Sequence, residues 1–341
     1  MTLFLRSILL IFTLNCSFLP GTSKDENKNF DLLLLLGLVQ SVEDSYARLF
    51  YMSPLFLSNS DNLIYLQAPS EQISSKKKLV IIHGWNTQDP ENPGTPSDDD
   101  LKRRIRTTYS HLFSGSTLLE SINLKNYDVY FFTYLTSKSI ESNGIRLRSQ
   151  LDSAFAGQNN NVYIFAHSMG GLITRIALYQ GSVPSYLSKI ITSGTPYHGS
   201  PWASSAFLEN KSILGDLAAY LSNTTGGQNL SWDNYDFSLS GSSNEVLTRY
   251  NSNTSRDGII TAYYNSLESN GAGYEGSDTS LLPVCLLITS KFSPSDCIVP
   301  SRSAAFFGGS LSLTRDLGKL HHVDMNLRHS TVNNTLLIDL P

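Results

Sequence analysis

The sequence predicts an α/β architecture, a mostly parallel sheet with helices on both faces and a lid-like insertion. Three observations predict it. Short apolar runs at residues 79–82, 127–134, 162–166 and 189–193 alternate with stretches of helical periodicity, the rhythm that a parallel sheet with crossover helices requires. Residues 162–172 read as a strand, a tight turn and a helix start. Beyond them, residues 199–282 are rich in Ser, Asn, Gly and Tyr without a long buried strand. That interval is too long for an ordinary loop, so about 200–282 is expected to lie as a cap over the C-terminal edge of the sheet, where open α/β sheets place their ligands.

In chain order, residues 1–16 combine the early charge of Arg6 with an apolar stretch at 7–14, the layout of a signal peptide. Cys16 follows Leu14 and Asn15. This resembles the lipidation box of bacterial lipoproteins, although Asn15 stands where Gly, Ala or Ser is usual, so acylation of Cys16 and plain cleavage nearby both stay open. The expectation is an exported protein, either secreted or anchored to the cell envelope or outer membrane through an N-terminal lipid. Residues 17–30 have the polar composition of a flexible linker. The folded domain is expected over 31–341. Its first apolar run, 32–39, is too short to cross a bilayer and reads as a packed helix.

Within the domain, strands are expected at 79–82, 127–134, 162–166, 189–193, 284–289 and roughly 311–320. Helices are expected at 101–112, 145–155, 169–180 and 331–340. The third offers Leu172, Ile173, Ile176 and Ala177 on one face and ends at Gly181, a fitting C-terminal cap. A helical patch at 213–221 and exposed aromatics Trp202, Phe207, Trp232 and Tyr235 are expected in the insertion.

Composition excludes several functions. Formal net charge is −4, and the one basic run, 76–78, reads as a solvated strand start, so nucleic acid is not an expected partner. His-x-x-x-His and paired-cysteine patterns are absent, as is a Gly-rich phosphate loop followed by lysine and helix, so no metal and no cofactor is expected. If lipid consumes Cys16, Cys285 and Cys297 remain as an even pair, which a disulfide or two free buried thiols would equally satisfy.

The chemistry centres on Ser168. A serine hydroxyl is a weak nucleophile and must be held at a strained turn, beside a base and near donors for a developing oxyanion. Ala166 and Gly170, two residues to either side, leave room for such a turn. Upstream, the run at 79–82 ends in His83-Gly84-Trp85. An oxyanion hole needs two backbone donors, and the candidates are the N–H groups of Trp85 and Met169. His83 is expected to stabilise its loop, and His198 to buttress the loop near the acyl pocket.

The strings A-H-S-M-G-G at 166–171, I-H-G-W at 82–85 and G-T-P-Y-H-G-S at 194–200 resemble signatures of α/β-hydrolase lipases and esterases, including bacterial and inositol-deacylase-like lipases. The similarity runs from about residue 78 to the C-terminus, with Ala166 standing where the common pattern has glycine. It implies an α/β-hydrolase fold and a serine–histidine–acid triad. Asp296 sits where that family places its carboxylate. Asp257, in an Asp-Gly-x-x string, is the rival, and the one not used is expected to be a solvated turn residue. For the base, His322 followed by Met325 resembles the family pattern, while His321 and His329 stay as alternatives. His321 is expected to face away along an extended segment, and His329 to sit at the start of the last helix. The implied activity is hydrolysis of carboxylic esters, with acylglycerols or other acyl lipids as substrates. A short-chain carboxylesterase or acyltransferase would use the same residues, and a non-catalytic surface binding module is the reading from another class.

Overall fold

Residues 79–82 alternate their side chains between two apolar layers, which places a strand at the centre of the molecule. The computed structural model describes residues 42–53, 66–69, 75–86, 89, 93–113, 117–204, 224–232, 244–287 and 292–341. Its strands are β1 (Arg48–Met52), β2 (Leu66–Gln67), β3 (Lys77–Ile82), β4 (Tyr127–Thr133), β5 (Val162–His167), β6 (Leu187–Ser193), β7 (Ile260–Tyr264) and β8 (Leu313–Asp316). They form one eight-stranded sheet in the order β2-β1-β4-β3-β5-β6-β7-β8. Every pair from β4 to β8 is parallel, and β1 is antiparallel to both β2 and β4.

The helices longer than about one turn are α1 (Asp98–Thr108), α2 (Thr117–Leu124), α3 (Ile140–Phe155), α4 (Met169–Leu178), α5 (Glu245–Asn251) and α6 (Ser330–Asp339). Because strand side chains alternate with period two, β3 turns Val80 and Ile82 to one face and Leu79 and Ile81 to the other. Leu147, Leu151, Ile173 and Ile176 of α3 and α4 join the first layer. Leu101, Ile105, Ile122 and Leu336 of α1, α2 and α6 join the second. Ser97 caps α1 in a capping box with Asp100, and three aspartates in the first turn complement the helix dipole. All ten residues of α4 are buried. These elements belong to the unit Ser45–Pro341.

Several expectations change. Residues 200–282 are not one insertion, because β7 runs through them and pairs in parallel with β6 and β8. Its sequence, ITAYY, lacks the continuous aliphatic run of β3, yet four of its five residues are buried. Residues 284–287 form no strand; a helical turn, Leu282–Cys285, occupies that place. The strand expected at 311–320 is shortened to β8. Trp202 and Trp232 are 1% and 2% exposed, so neither is the exposed aromatic expected. Lys78 is buried with Asp128 at 3.7 Å and is not solvated. Cys285 and Cys297 form a disulfide with a Cα–Cα distance of 4.4 Å. The signal peptide, Cys16, the linker, the run at 32–39, Phe207, the patch at 213–221 and Tyr235 lie outside the described residues.

Asp257 is no solvated turn residue either. Its carboxylate accepts from Arg175 Nε and Nη2, each at 2.9 Å, and from Tyr179 Oη at 3.2 Å. The guanidinium also donates to the Tyr250 and Asn253 carbonyls, so the pair ties α4 to the segment that enters β7. Removing one partner of a buried pair strands the other charge. Asp257→Asn is therefore expected to lower unfolding free energy by about 3–5 kcal/mol, measured by denaturant titration. An unchanged midpoint would show that this pair does not hold β7 in place.

Candidate active site

Ser168 occupies the junction of β5 and α4, where the chain reverses direction at the C-terminal edge of the sheet. Its backbone has φ 53° and ψ −127°, a left-handed conformation that costs a non-glycine residue on the order of 1–3 kcal/mol and persists only when its surroundings enforce it. They do. Ser168 N–H donates to the Ser193 carbonyl at 2.8 Å, and the Ser168 carbonyl accepts from Gly171 N–H at 2.9 Å and Thr195 Oγ1 at 3.1 Å. Small neighbours are obligatory. A Cβ on Gly170 would lie 2.5 Å from the His83 carbonyl oxygen, and one on Gly84 would lie 2.7 Å from Ser168 Cβ. As N-cap of α4, Ser168 makes no side-chain cap bond, which leaves the hydroxyl free to face the site.

His322 Nε2 lies 2.8 Å from Ser168 Oγ, and His322 Nδ1 lies 2.7 Å from Asp296 Oδ2. Asp296 Oδ1 accepts from the N–H groups of Ile298 at 3.0 Å and Val299 at 2.6 Å. Those two donors orient the carboxylate so that its other oxygen meets the imidazole. The backbone adds a second tie, His322 N–H to the Asp296 carbonyl at 2.8 Å. The acid loop is itself held by the Cys285–Cys297 disulfide, by bridges from Ser295 to Leu267 and Pro300, and by Trp202 Nε1–H donating to the Cys297 carbonyl at 2.8 Å. The helical turn at Leu282–Cys285 thus anchors the loop without being the strand expected before Asp296.

The structure brings Ser168, Asp296 and His322 together and separates their rivals from them. Asp257 is committed to Arg175. His321 faces away, stacked on Tyr274 at 4.9 Å and 3.1 Å from Asp324, although residues 322–328 form turns and not the extended segment expected. His329 caps α6, its Nδ1 accepting from Thr331 N–H at 3.3 Å. Gly84 and Trp85 line the same cavity as Ser168, and Met169 opens α4 directly after the serine. His83 stabilises its loop: Nδ1 contacts the Gly84 carbonyl at 2.7 Å, and the ring stacks on Tyr134 at 4.3 Å. His198 ties its loop to the 303–307 segment through Ser303 Oγ and the Phe307 carbonyl.

Two supporting residues were not anticipated. His167 Nε2 contacts the His322 carbonyl at 3.0 Å and its ring lies 4.7 Å from the His322 ring. Burial, reinforced by the neighbouring imidazole, holds the His167 pKa well below the ordinary value, so it buttresses His322 as a neutral donor. Asp324 accepts from His321 N–H at 3.2 Å and Tyr274 Oη at 2.7 Å, pinning the turn that carries His322. The A-H-S string shows His167, but nothing local distinguishes a buttress from a base. Asp324 carries no sequence signal because its partner Tyr274 is fifty positions away.

Comparison with known proteins agrees with this topology. A family model described as the PGAP1-like alpha/beta domain matches residues 113–275. The mature form of the Bacillus licheniformis lipase BlEst2 is similar in structure, with a TM-score of 0.52 at 17% identity over 79% of this chain and 92% of that one. The chain has the α/β-hydrolase fold. The propeptide form of the same Bacillus lipase gives a TM-score of 0.52 at 19% identity, over 78% of this chain and 51% of that one. No curated protein matches the sequence.

Burial of two imidazoles in this fold carries a pH signature. Desolvation lowers the pKa of both His83 and His111 from 6.5 to about 4. In the window between 6.5 and 4 the unfolded chain binds protons that the folded chain refuses, so stability is fully present above pH 6.5 and is lost as pH falls towards 4. The loss is on the order of 3 kcal/mol for each of the two residues. Melting temperature should decline steeply over that window. A flat profile there would refute the neutral, buried state of these imidazoles.

Proposed function

We propose that this chain is a serine ester hydrolase that works through an acyl-enzyme. The observation that carries the proposal is the unbroken chain of contacts from Ser168 Oγ through His322 to Asp296, opening into a cavity of about 710 Å³. His322 Nε2 takes the Ser168 proton as Oγ attacks the ester carbonyl, and returns it to the leaving alkoxide. Asp296 keeps Nδ1 protonated and stabilises the imidazolium. The backbone N–H groups of Trp85 and Met169 are the proposed oxyanion donors, the latter aided by the positive end of the α4 dipole. Water then repeats the sequence in reverse and releases the acid.

The apolar part of the cavity, with Trp202, Leu230, Ile298 and Val299, favours an acyl chain, so an acyl lipid is the proposed substrate class. The name of the Bacillus lipase points the same way. Export, with Cys16 as the lipidation candidate and an N-terminal lipid as the anchor, is the proposed localisation. The disulfide supports it, because such bonds persist in oxidising compartments.

Ser168→Ala should abolish labelling by a fluorophosphonate probe and cut ester turnover by at least about 10⁴-fold. Asp296→Asn should retain the fold and lose roughly 10³–10⁴-fold in kcat through the wrong histidine tautomer. Steady-state kinetics on p-nitrophenyl esters reads both. Substantial residual turnover in Ser168→Ala would remove the nucleophile assignment.

A further inference from the structure

The cavity that holds Ser168 has two chemically different walls. One is apolar and is built on the acid loop: Ser200 Oγ donates to the Ile298 carbonyl at 2.6 Å and Trp202 Nε1 to that of Cys297, which sets Trp202, Ile298 and Val299 side by side. The other wall comes from α1 and from the residues that follow His322. It contributes Arg103, Arg104, Thr108 and Arg328, with Asp100 as its carboxylate. These elements are locked together, since His111, just beyond α1, contacts the Asn326 carbonyl at 2.8 Å.

Three guanidinium groups against one carboxylate is an unexpected concentration in a chain of formal charge −4. Their partners show which one is available. Arg104 is consumed structurally, its guanidinium held on the buried Asp89 carboxylate and on the Tyr134 carbonyl. Arg103 is paired with Asp100 at 3.1 Å, and that carboxylate is also engaged by Ser97. Arg328 is exposed at the wall and, among the described residues, forms no ion pair within 4 Å, although its charge acts on the Asp278 carboxylate.

We infer that the alcohol part of the substrate carries an anion, a phosphodiester, which Arg328 receives while the acyl chain lies on the Trp202, Ile298 and Val299 wall. The preferred substrate is then an anionic acyl phospholipid, and Arg328 is a specificity-determining residue of the site. This rests on the ester-hydrolase reading. It adds that, of two esters with one acyl chain, the enzyme selects the charged one. A guanidinium recognises phosphate through charge-assisted hydrogen bonds.

The test uses two monomeric octanoyl esters, 1-octanoylglycerol and 1-octanoylglycero-3-phosphoglycerol, which share the ester bond and differ in the phosphodiester. For the wild-type protein, kcat/KM should favour the charged ester by about tenfold, and the preference should shrink as salt screens the contact. Arg328→Gln should bring the ratio close to unity, and Arg328→Glu should invert it, with melting curves checking that both variants fold. Calorimetric binding of the same pair to Ser168→Ala should show the same preference without turnover. A wild-type ratio at or below unity, or a ratio unmoved in Arg328→Gln, overturns the inference. Inorganic phosphate competing as well as the charged ester would assign the wall to a free anion and overturn it too. If p-nitrophenyl butyrate is hydrolysed and the fluorophosphonate probe labels Ser168 while the ratio stays at unity, only the head-group inference fails. If neither happens, the hydrolase reading fails and takes this one with it.

Discussion

The close approach of β3, β5 and α4 around Ser168 is the constraint on which the rest of the site depends. A nucleophilic hydroxyl must stand clear of the sheet edge, and only a reversal tighter than ordinary backbone allows leaves it there. Ser168 adopts that reversal at φ 53°. The conformation is tolerable because two backbones can touch it without side chains intervening: a Cβ at Gly84 or Gly170 would sit inside van der Waals distance of its neighbours. Hydrogen bonds to β6 and from Thr195 then hold the turn. The strain is local, and the sheet absorbs it.

Everything else at the site is arranged to meet that fixed hydroxyl. The proposed acid and base come from loops, which would wander without anchors. Asp296 is fixed by two backbone donors and by the neighbouring disulfide. His322 is gripped by the Asp296 backbone, by His167 and, through its turn, by Asp324 and Tyr274. Loops tied at several points behave as rigid elements, and a triad needs such rigidity, because productive proton transfer depends on heavy-atom distances near 2.6–3.2 Å.

Buried charge follows the same economy of placement. Asp257 with Arg175, Asp89 with Arg104 and Lys78 with Asp128 each join a helix or strand to a segment distant in sequence. Each pair therefore fixes the position of one element relative to another. Arg328, left unpaired among the described residues at the cavity wall, is the exception that gives the site its proposed polarity.

Much of this was legible in the residues. The central strands β3 to β6 show through their aliphatic or aromatic runs, because a strand buried on both faces is apolar over most of its length. The Ser168 turn shows because its small neighbours are a local steric requirement. Other features have no local cause. β7 is polar enough, with Thr261 and its tyrosines, to pass for a loop, and it becomes a strand only because β6 and β8 offer hydrogen-bonding edges on either side. Whether Asp257 or Asp296 is left to face His322 depends on which one Arg175 claims, and the two cysteines pair because a helical turn delivers Cys285 to the loop of Asp296. The choice of His322 over His321 rests on stacking and hydrogen bonds to Tyr274 and Asp324 that pull His321 to the other side. Sequence alone determined the steric and hydrophobic patterns, because these act between neighbours along the chain. Only the tertiary structure decided the pairings, because a charge, a thiol or an imidazole takes its role from whatever distant group the fold sets against it.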